Sequence, residues 1–374
     1  MSAMERGTLA GWHKPAGGFR LAWVLALAYT LLIAYASLQP FRAWRRPPPE
    51  ILGFLTAPWP HFITLEDVLI NLAAYAPLGF LLAIALRGRF TARASVLIAA
   101  LGAGGVSLAM ESAQMFLPAR IASNLDLLTN GSGALFGAMA APLLSPAGFP
   151  GRRLAAWRER VFAPGAVADT GLVIVCLWLF THLHPTAQAF GTGSLRFTFE
   201  LPAYVIHTPE RLLSAEAAIV LLNLLGLGLL ISALSRDGRR AFAVTFLVIG
   251  TGLALRAMSA MALFNSPGPL NWLTPGVALG LAIGAIVLYP LLRLPQTEKL
   301  TMALVFFALA VVVINVAPDN PYQTVPSKLV AGNATQLLRF SSIVRALSEL
   351  WPFLAIAYLF TATFGLRPRR DYRL

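Results

Sequence analysis

Charge is scarce in this chain of 374 residues. Only 12% are Asp, Glu, Lys or Arg, and the acids number 16. A soluble domain carries about 25% charged and about 45–50% apolar residues. Here 57% are hydrophobic and the mean hydropathy is +0.70, which excludes a soluble enzyme and a disordered chain alike. Cysteine is nearly missing: Cys176 stands alone, which excludes a disulfide framework and a cysteine-based metal site. There is no phosphate-binding glycine loop, no Gly-x-Ser-x-Gly elbow and no nucleic-acid motif. The sequence therefore predicts no cofactor, no nucleic-acid partner and no metal site. Of its five histidines, His61, His182, His184 and His207 fall on one side of the proposed membrane, where zinc is conceivable, but His184 aligns with Gln39 in an internal repeat of the chain, so the position does not demand a metal ligand.

Long apolar runs are plentiful. Runs of about 17–25 residues signal spanning helices. Ten are legible, at residues 21–38, 68–86, 94–116, 127–144, 167–183, 215–234, 241–264, 273–292, 300–316 and 343–364. The expectation is an all-α polytopic bundle of about ten transmembrane helices. Roughly two thirds of the basic residues then fall on the side of both termini, which predicts an N-in, C-in topology and explains most of the net charge of +13. The cluster Arg42, Arg45 and Arg46 opposes this count; Phe41 and Trp44 beside it suggest an interfacial belt. Ala34-Tyr35-Ala36 resembles a signal-peptide cleavage site, but the length of the first run favours a retained span. Acidic lipid head groups are the economical partners for the short basic segments.

Two stretches read alike. Glu111 to Pro118, then Asp126 to Gly131 and a Gly/Ala-rich run, parallel Ser259 to Pro267, then Asn271 to Gly276 and another such run. Asn71 and Asn223 open similar upstream segments, and Leu38-Gln39-Pro40 matches Leu183-His184-Pro185. The predicted organisation is a four-helix unit over residues 1–150, a degenerate second copy over 165–295 (the likeness itself spans 165–292), and two added helices in 296–374. The second copy lacks the acids and the arginine of the first, which points to the first as the site.

That site is a polar set in an apolar setting. Glu111 and Gln114 share one face near a helix end. Pro118 ends that helix and Arg120 follows in a short loop. Asp126 opens the next helix, where a carboxylate can cap free N–H groups, and Asn130 lies one turn on. Gly133 and Gly137 form a small-xxx-small pair that admits a close neighbour. Upstream, Asn71 and Tyr75 share a face, followed by Pro77-Leu78-Gly79-Phe80. Ionisable groups at membrane edges mark functional sites by default. Glu111 and Asp126 are the candidate catalytic or proton-coupled groups. Asn71, Tyr75, Gln114, Arg120 and Asn130 are candidate ligand-binding residues, with Arg120 suited to a phosphate or carboxylate. Arg256, inside a later span, is expected to pair with Glu111, Glu216 or Asp169.

The pattern Glu111-x-x-Gln114, Leu117-Pro118-x-Arg120, Asp126-x-x-x-Asn130, Gly133 and Gly137, with Asn71 to Phe80 upstream, resembles the VanZ-like family of bacterial membrane proteins over about residues 20–145. The family often has a second acid shortly before the Asp, where Asn124 stands nearby, and some members have His in place of Asn71. The resemblance implies a multi-pass protein of the cell (inner) membrane and a tie to glycopeptide antibiotic resistance, without implying a reaction. Three readings follow: an outer-leaflet site for an anionic envelope lipid or lipid-linked cell-wall or polysaccharide precursor; a transporter or flippase with a polar path between the two repeats; and a structural membrane scaffold.

Overall fold

The computed structural model describes residues 16–38, 44–46, 49–60, 63, 65–118, 120–143, 149–183, 190, 193–195, 208–262, 268, 270–317 and 335–365. The regular elements among them are helical: α1 (Ala16–Leu38), α2 (Leu65–Leu86), α3 (Ala92–Gln114), α4 (Asn124–Leu143), α5 (Phe149–Val161), α6 (Ala166–Thr181), α7 (Pro209–Leu234), α8 (Gly238–Ala262), α9 (Pro275–Leu291), α10 (Gln296–Val316) and α11 (Thr335–Phe364). A single 3-10 turn lies at Gly53–Leu55. Six of the helices contain a stretch long and apolar enough to cross a membrane: Asp67–Leu86, Ala92–Gln114, Pro209–Leu234, Arg240–Met261, Gln296–Val316 and Leu347–Phe364. Ala22–Leu38, Ala166–Thr181 and Pro275–Leu291 are shorter apolar helices. Arg42, His61, His184, His207, Gln39 and Pro40, which entered the sequence reading, lie outside the described residues. The basic stretch between the predicted runs 127–144 and 167–183 holds α5, whose apolar residues recur at helical spacing but are too few for a span.

The chain divides into two compact units, residues 1–152 and 153–374. In the first, the closest helix pair is α2 with α4. A Cβ placed on Gly79 would run into the Ala134 backbone. One on Gly133 would meet the Leu72 carbonyl, and one on Gly137 the Ala76 carbonyl. Glycine is therefore required at all three positions for the two backbones to touch. Small residues drive such approach in lipid, where burial of apolar side chains gives no preference for protein over acyl chain. The same economy fills the rest of the interior: Ala83, Ala99, Ala103, Ala134, Ala138 and Ala141 are all buried. Pro77 removes one N–H from α2, which leaves the Ala73 carbonyl without its helical partner. One residue on, the Ala74 carbonyl accepts the Tyr29 hydroxyl of α1 at 2.9 Å.

In the second unit α7 is the central helix, buried without a break from Asn223 to Leu234. Helix α9 lies against it through Gly276, Gly280 and Gly284; a Cβ at Gly280 would stand 2.6 Å from the Ala217 carbonyl. Helix α11 is tied to α6 by Trp351 Nε1 donating to the Ile174 carbonyl at 2.7 Å and Tyr358 Oη donating to the Val167 carbonyl at 3.0 Å.

The α2–α4 contact makes a direct prediction. Gly137→Ala forces a methyl group into the Ala76 carbonyl, an overpacking that costs about 1–3 kcal/mol. Gly104→Ala in α3, where a Cβ meets nothing within 4 Å, costs nothing. Thermal unfolding of the detergent-purified chain reads the difference. Equal melting temperatures for the two variants would contradict the contact.

Candidate functional site

The polar set assembles where three helix ends meet in the first unit: the N-terminal half of α2, the C-terminus of α3 and the N-terminus of α4. The order starts with the capping of α4. Ser123 stands one residue before the helix, and its Oγ accepts the N–H groups of Leu125 and Asp126 at 3.2 and 3.4 Å. The Ser123 N–H in turn donates to Glu111 Oε2 at 2.9 Å. So the buried carboxylate of α3 meets the positive end of α4, the place where a helix favours an anion. Sequence reasoning gave the cap to Asp126. The structure gives it to Ser123, because Asp126 is the third residue of the helix and its side chain points elsewhere. Ser123-Asn-Leu-Asp126 has the spacing of a capping box, which was the available signal.

Asp126 Oδ1 instead accepts from Asn71 Nδ2 of α2 at 2.9 Å. Asn130, one turn along α4, donates from Nδ2 to Ser107 Oγ of α3 at 2.9 Å. Ser107 was missed by sequence reasoning. It belongs to a buried stripe on α3, Ser95, Ala99, Ala103, Ser107, Glu111 and Gln114, whose spacing of four and then three residues gives it away. Tyr75 of α2 brings its hydroxyl beside Ser107, within reach of the charges of Glu111 and Asp126. Glu111, Gln114, Asn130 and Tyr75 are each 5% exposed or less.

The remaining two residues reach α1. Gln114 Nε2 donates to the Ser37 carbonyl at 3.2 Å, and Arg120 Nη2 donates to the Ala36 carbonyl at 3.1 Å. The last carbonyls of a helix have no partner within it, and a cation there also meets the negative end of the helix. No side-chain pattern announces this, since the acceptors are backbone atoms. Just past the end of α3, the Arg45 backbone N–H donates to the Phe116 carbonyl at 2.9 Å and Arg45 Nε to the Met115 carbonyl at 3.4 Å. All seven candidate residues thus gather at one end of three helices, while Gly133 and Gly137 lie on the α2–α4 seam that positions them.

Two buried amide oxygens of this cluster, Gln114 Oε1 and Asn130 Oδ1, have no hydrogen-bond partner among the described residues. Leaving such a group unsatisfied costs about 1–3 kcal/mol each. The arrangement therefore has room in its chemistry for polar hydrogens from outside the chain, in water or in a ligand.

Other candidates sit differently. Asp169 pairs with Arg158 at 2.5 Å, and Glu216 accepts the Thr274 hydroxyl at 2.5 Å. Arg256 is buried in α8 with its guanidinium over the Trp272 ring, 5.3 Å from the centroid, a cation–π contact. His182 is buried, with Nδ1 3.0 Å from the Trp178 carbonyl. Among the described residues no three His, Cys, Asp or Glu side chains are placed to hold a metal ion.

Residues 19–145 match the VanZ/LLP1 family model. The match covers about a third of the chain and contains every residue of the polar set. Residues 19–145 are thus VanZ-like, and the six long apolar helices suggest a multi-pass membrane protein. No curated protein and no solved structure matches the chain.

The capping geometry is testable. Ser123→Ala removes the acceptor for two N–H groups and should lower stability by about 0.5–2 kcal/mol, whereas Ser123→Thr keeps it. Denaturation in detergent of the two variants distinguishes them; equal loss in both would place the cap elsewhere.

Proposed function

We propose that the VanZ-like unit is a binding module for an anionic envelope lipid or lipid-linked glycan, placed at the outer leaflet of a bacterial inner membrane. The observation that carries this reading is the pair of buried amide oxygens without a hydrogen-bond partner among the described residues, Gln114 Oε1 and Asn130 Oδ1. They belong to two different helices and share a cluster with two carboxylates, a guanidinium and the Tyr75 hydroxyl. A hydroxyl-rich head group supplies the missing donors. In this reading Arg120 holds the phosphate or carboxylate of the ligand. Glu111 and Asp126 are the ionisable pair, and Asn71 fixes the orientation of Asp126. The N-in, C-in topology, the ten spans and a contribution to glycopeptide resistance belong to the same proposal. So does the degenerate second copy over 165–292, in which Gly276, Gly280 and Gly284 play the close-approach role of Gly133 and Gly137.

A scaffold reading competes with it, and one observation favours that reading: the Glu111, Gln114 and Arg120 side chains all bond backbone groups at helix ends. Interhelical bonds of that kind contribute about 0.6–2 kcal/mol each.

Glu111→Gln separates the two, because glutamine keeps an oxygen for the Ser123 N–H and loses only the charge. The measurement is binding of a polyprenyl diphosphate, presented in lipid nanodiscs, to Glu111→Gln, Arg120→Ala and Asp126→Asn. Under the binding reading affinity falls about tenfold or more, the effect of losing one charge-assisted hydrogen bond of about 1.5–3 kcal/mol, while Glu111→Gln melts as wild type. Wild-type binding in all three, with lowered melting temperatures, would establish the scaffold.

A further inference from the structure

A second polar feature lies far along the chain, in residues 153–374, and is independent of the site above. Helix α5 carries Leu154, Trp157 and Val161 on one face, with Arg153 and Arg160 flanking it. Val161 packs on the core of its unit. Leu154 and Trp157 remain 49% and 53% exposed, although the Trp157 ring meets Phe162 edge-to-face at 5.8 Å. A short basic helix with an uncovered apolar face is the kind that lies in the plane of a membrane interface.

The end of α5 is fastened to the turn between α7 and α8. Phe162 and Ser235 form an antiparallel bridge. The Ala163 N–H donates to the Leu234 carbonyl at 2.8 Å, the Arg236 N–H donates to the Val161 carbonyl at 2.9 Å, and Arg236 Nη1 donates to the Glu159 carbonyl at 2.8 Å. These bonds gather Arg160, Arg236, Asp237, Gly238 and Arg240 around one open cleft. Asp237 offsets part of the charge, with its Oδ2 3.8 Å from Arg240 Nε. Arg158 adds none, since it pairs with Asp169. Three guanidinium groups against one carboxylate leave an anion-seeking cleft, and guanidinium forks match phosphate oxygens two at a time.

We propose that the Arg160–Arg236–Arg240 cleft binds the phosphate head group of an anionic phospholipid, with Leu154 and Trp157 seated at the acyl boundary beside it. A soluble phosphate would use the cleft alone. The adjoining uncovered leucine and tryptophan complement a lipid, and the basic flanks of α5 complement an anionic leaflet.

The test uses the full chain in detergent, titrated with dioleoyl phosphatidylglycerol or dioleoyl phosphatidylcholine and read by native mass spectrometry. The wild type should retain phosphatidylglycerol preferentially. Arg160→Gln with Arg240→Gln should lower that retention about 30-fold, at about fivefold per arginine near a membrane surface. Neither side chain holds α5 in place, so the pair leaves the strap intact; Arg236, which does hold it, is left unchanged. Trp157→Ala should weaken retention as well. Two outcomes overturn the proposal. One is an equal loss in Arg89→Gln with Arg93→Gln, which would mean general surface charge. The other is complete displacement of the lipid by glycerol phosphate at matched concentration, which would mean a soluble anion.

Discussion

The first unit depends on two backbones touching. Helices α2 and α4 meet at Gly79, Gly133 and Gly137, where each missing side chain leaves space for a carbonyl of the other helix. In lipid there is no hydrophobic drive to bring two helices together, so contact area and close approach must do it. That approach sets the distance between Asn71 and Asp126, and between Tyr75 and the Ser107–Asn130 pair. A polar cluster of this precision needs walls that do not move, and here the walls are backbone.

The polar residues then resolve a problem that every helical membrane protein faces. Helix ends carry free N–H and C=O groups, and water to satisfy them is scarce near the hydrocarbon. Ser123 and Glu111 serve the start of α4, while Gln114 and Arg120 serve the end of α1. Structural duty and chemical capacity therefore reside in the same side chains. Two buried amide oxygens, Gln114 Oε1 and Asn130 Oδ1, are left over after the helix ends are satisfied.

Much of this was legible in the sequence, and the reasons are physical. Hydropathy marks helices because a bilayer demands length and apolarity together, so the all-helical class could be read from composition. Glu111, Gln114, Asp126 and Asn130 stood out because a carboxylate or amide is costly in an apolar run. Less visible were residues whose role depends on backbone partners. Ser123 caps α4 through two N–H groups, and Arg120 reaches a carbonyl 84 residues away; nothing in the spacing of side chains encodes the latter. Helix α5 was also hidden. Its charge density reads as loop until its apolar positions are seen to fall on one face, and hydropathy averaged over a span-length window erases that pattern.

The bond from Arg120 to the Ala36 carbonyl turns α1 into more than a neighbour of the site. The guanidinium has a resident acceptor, and Gln114 has another one residue further along the same helix end. Under the proposed binding role, an anion drawing Arg120 toward itself would compete with that helix end for the same donor, so that occupancy of the cluster and docking of α1 would oppose one another. The Tyr29 hydroxyl, 2.9 Å from the Ala74 carbonyl, is a separate tie of α1 to α2 that such a ligand would leave in place.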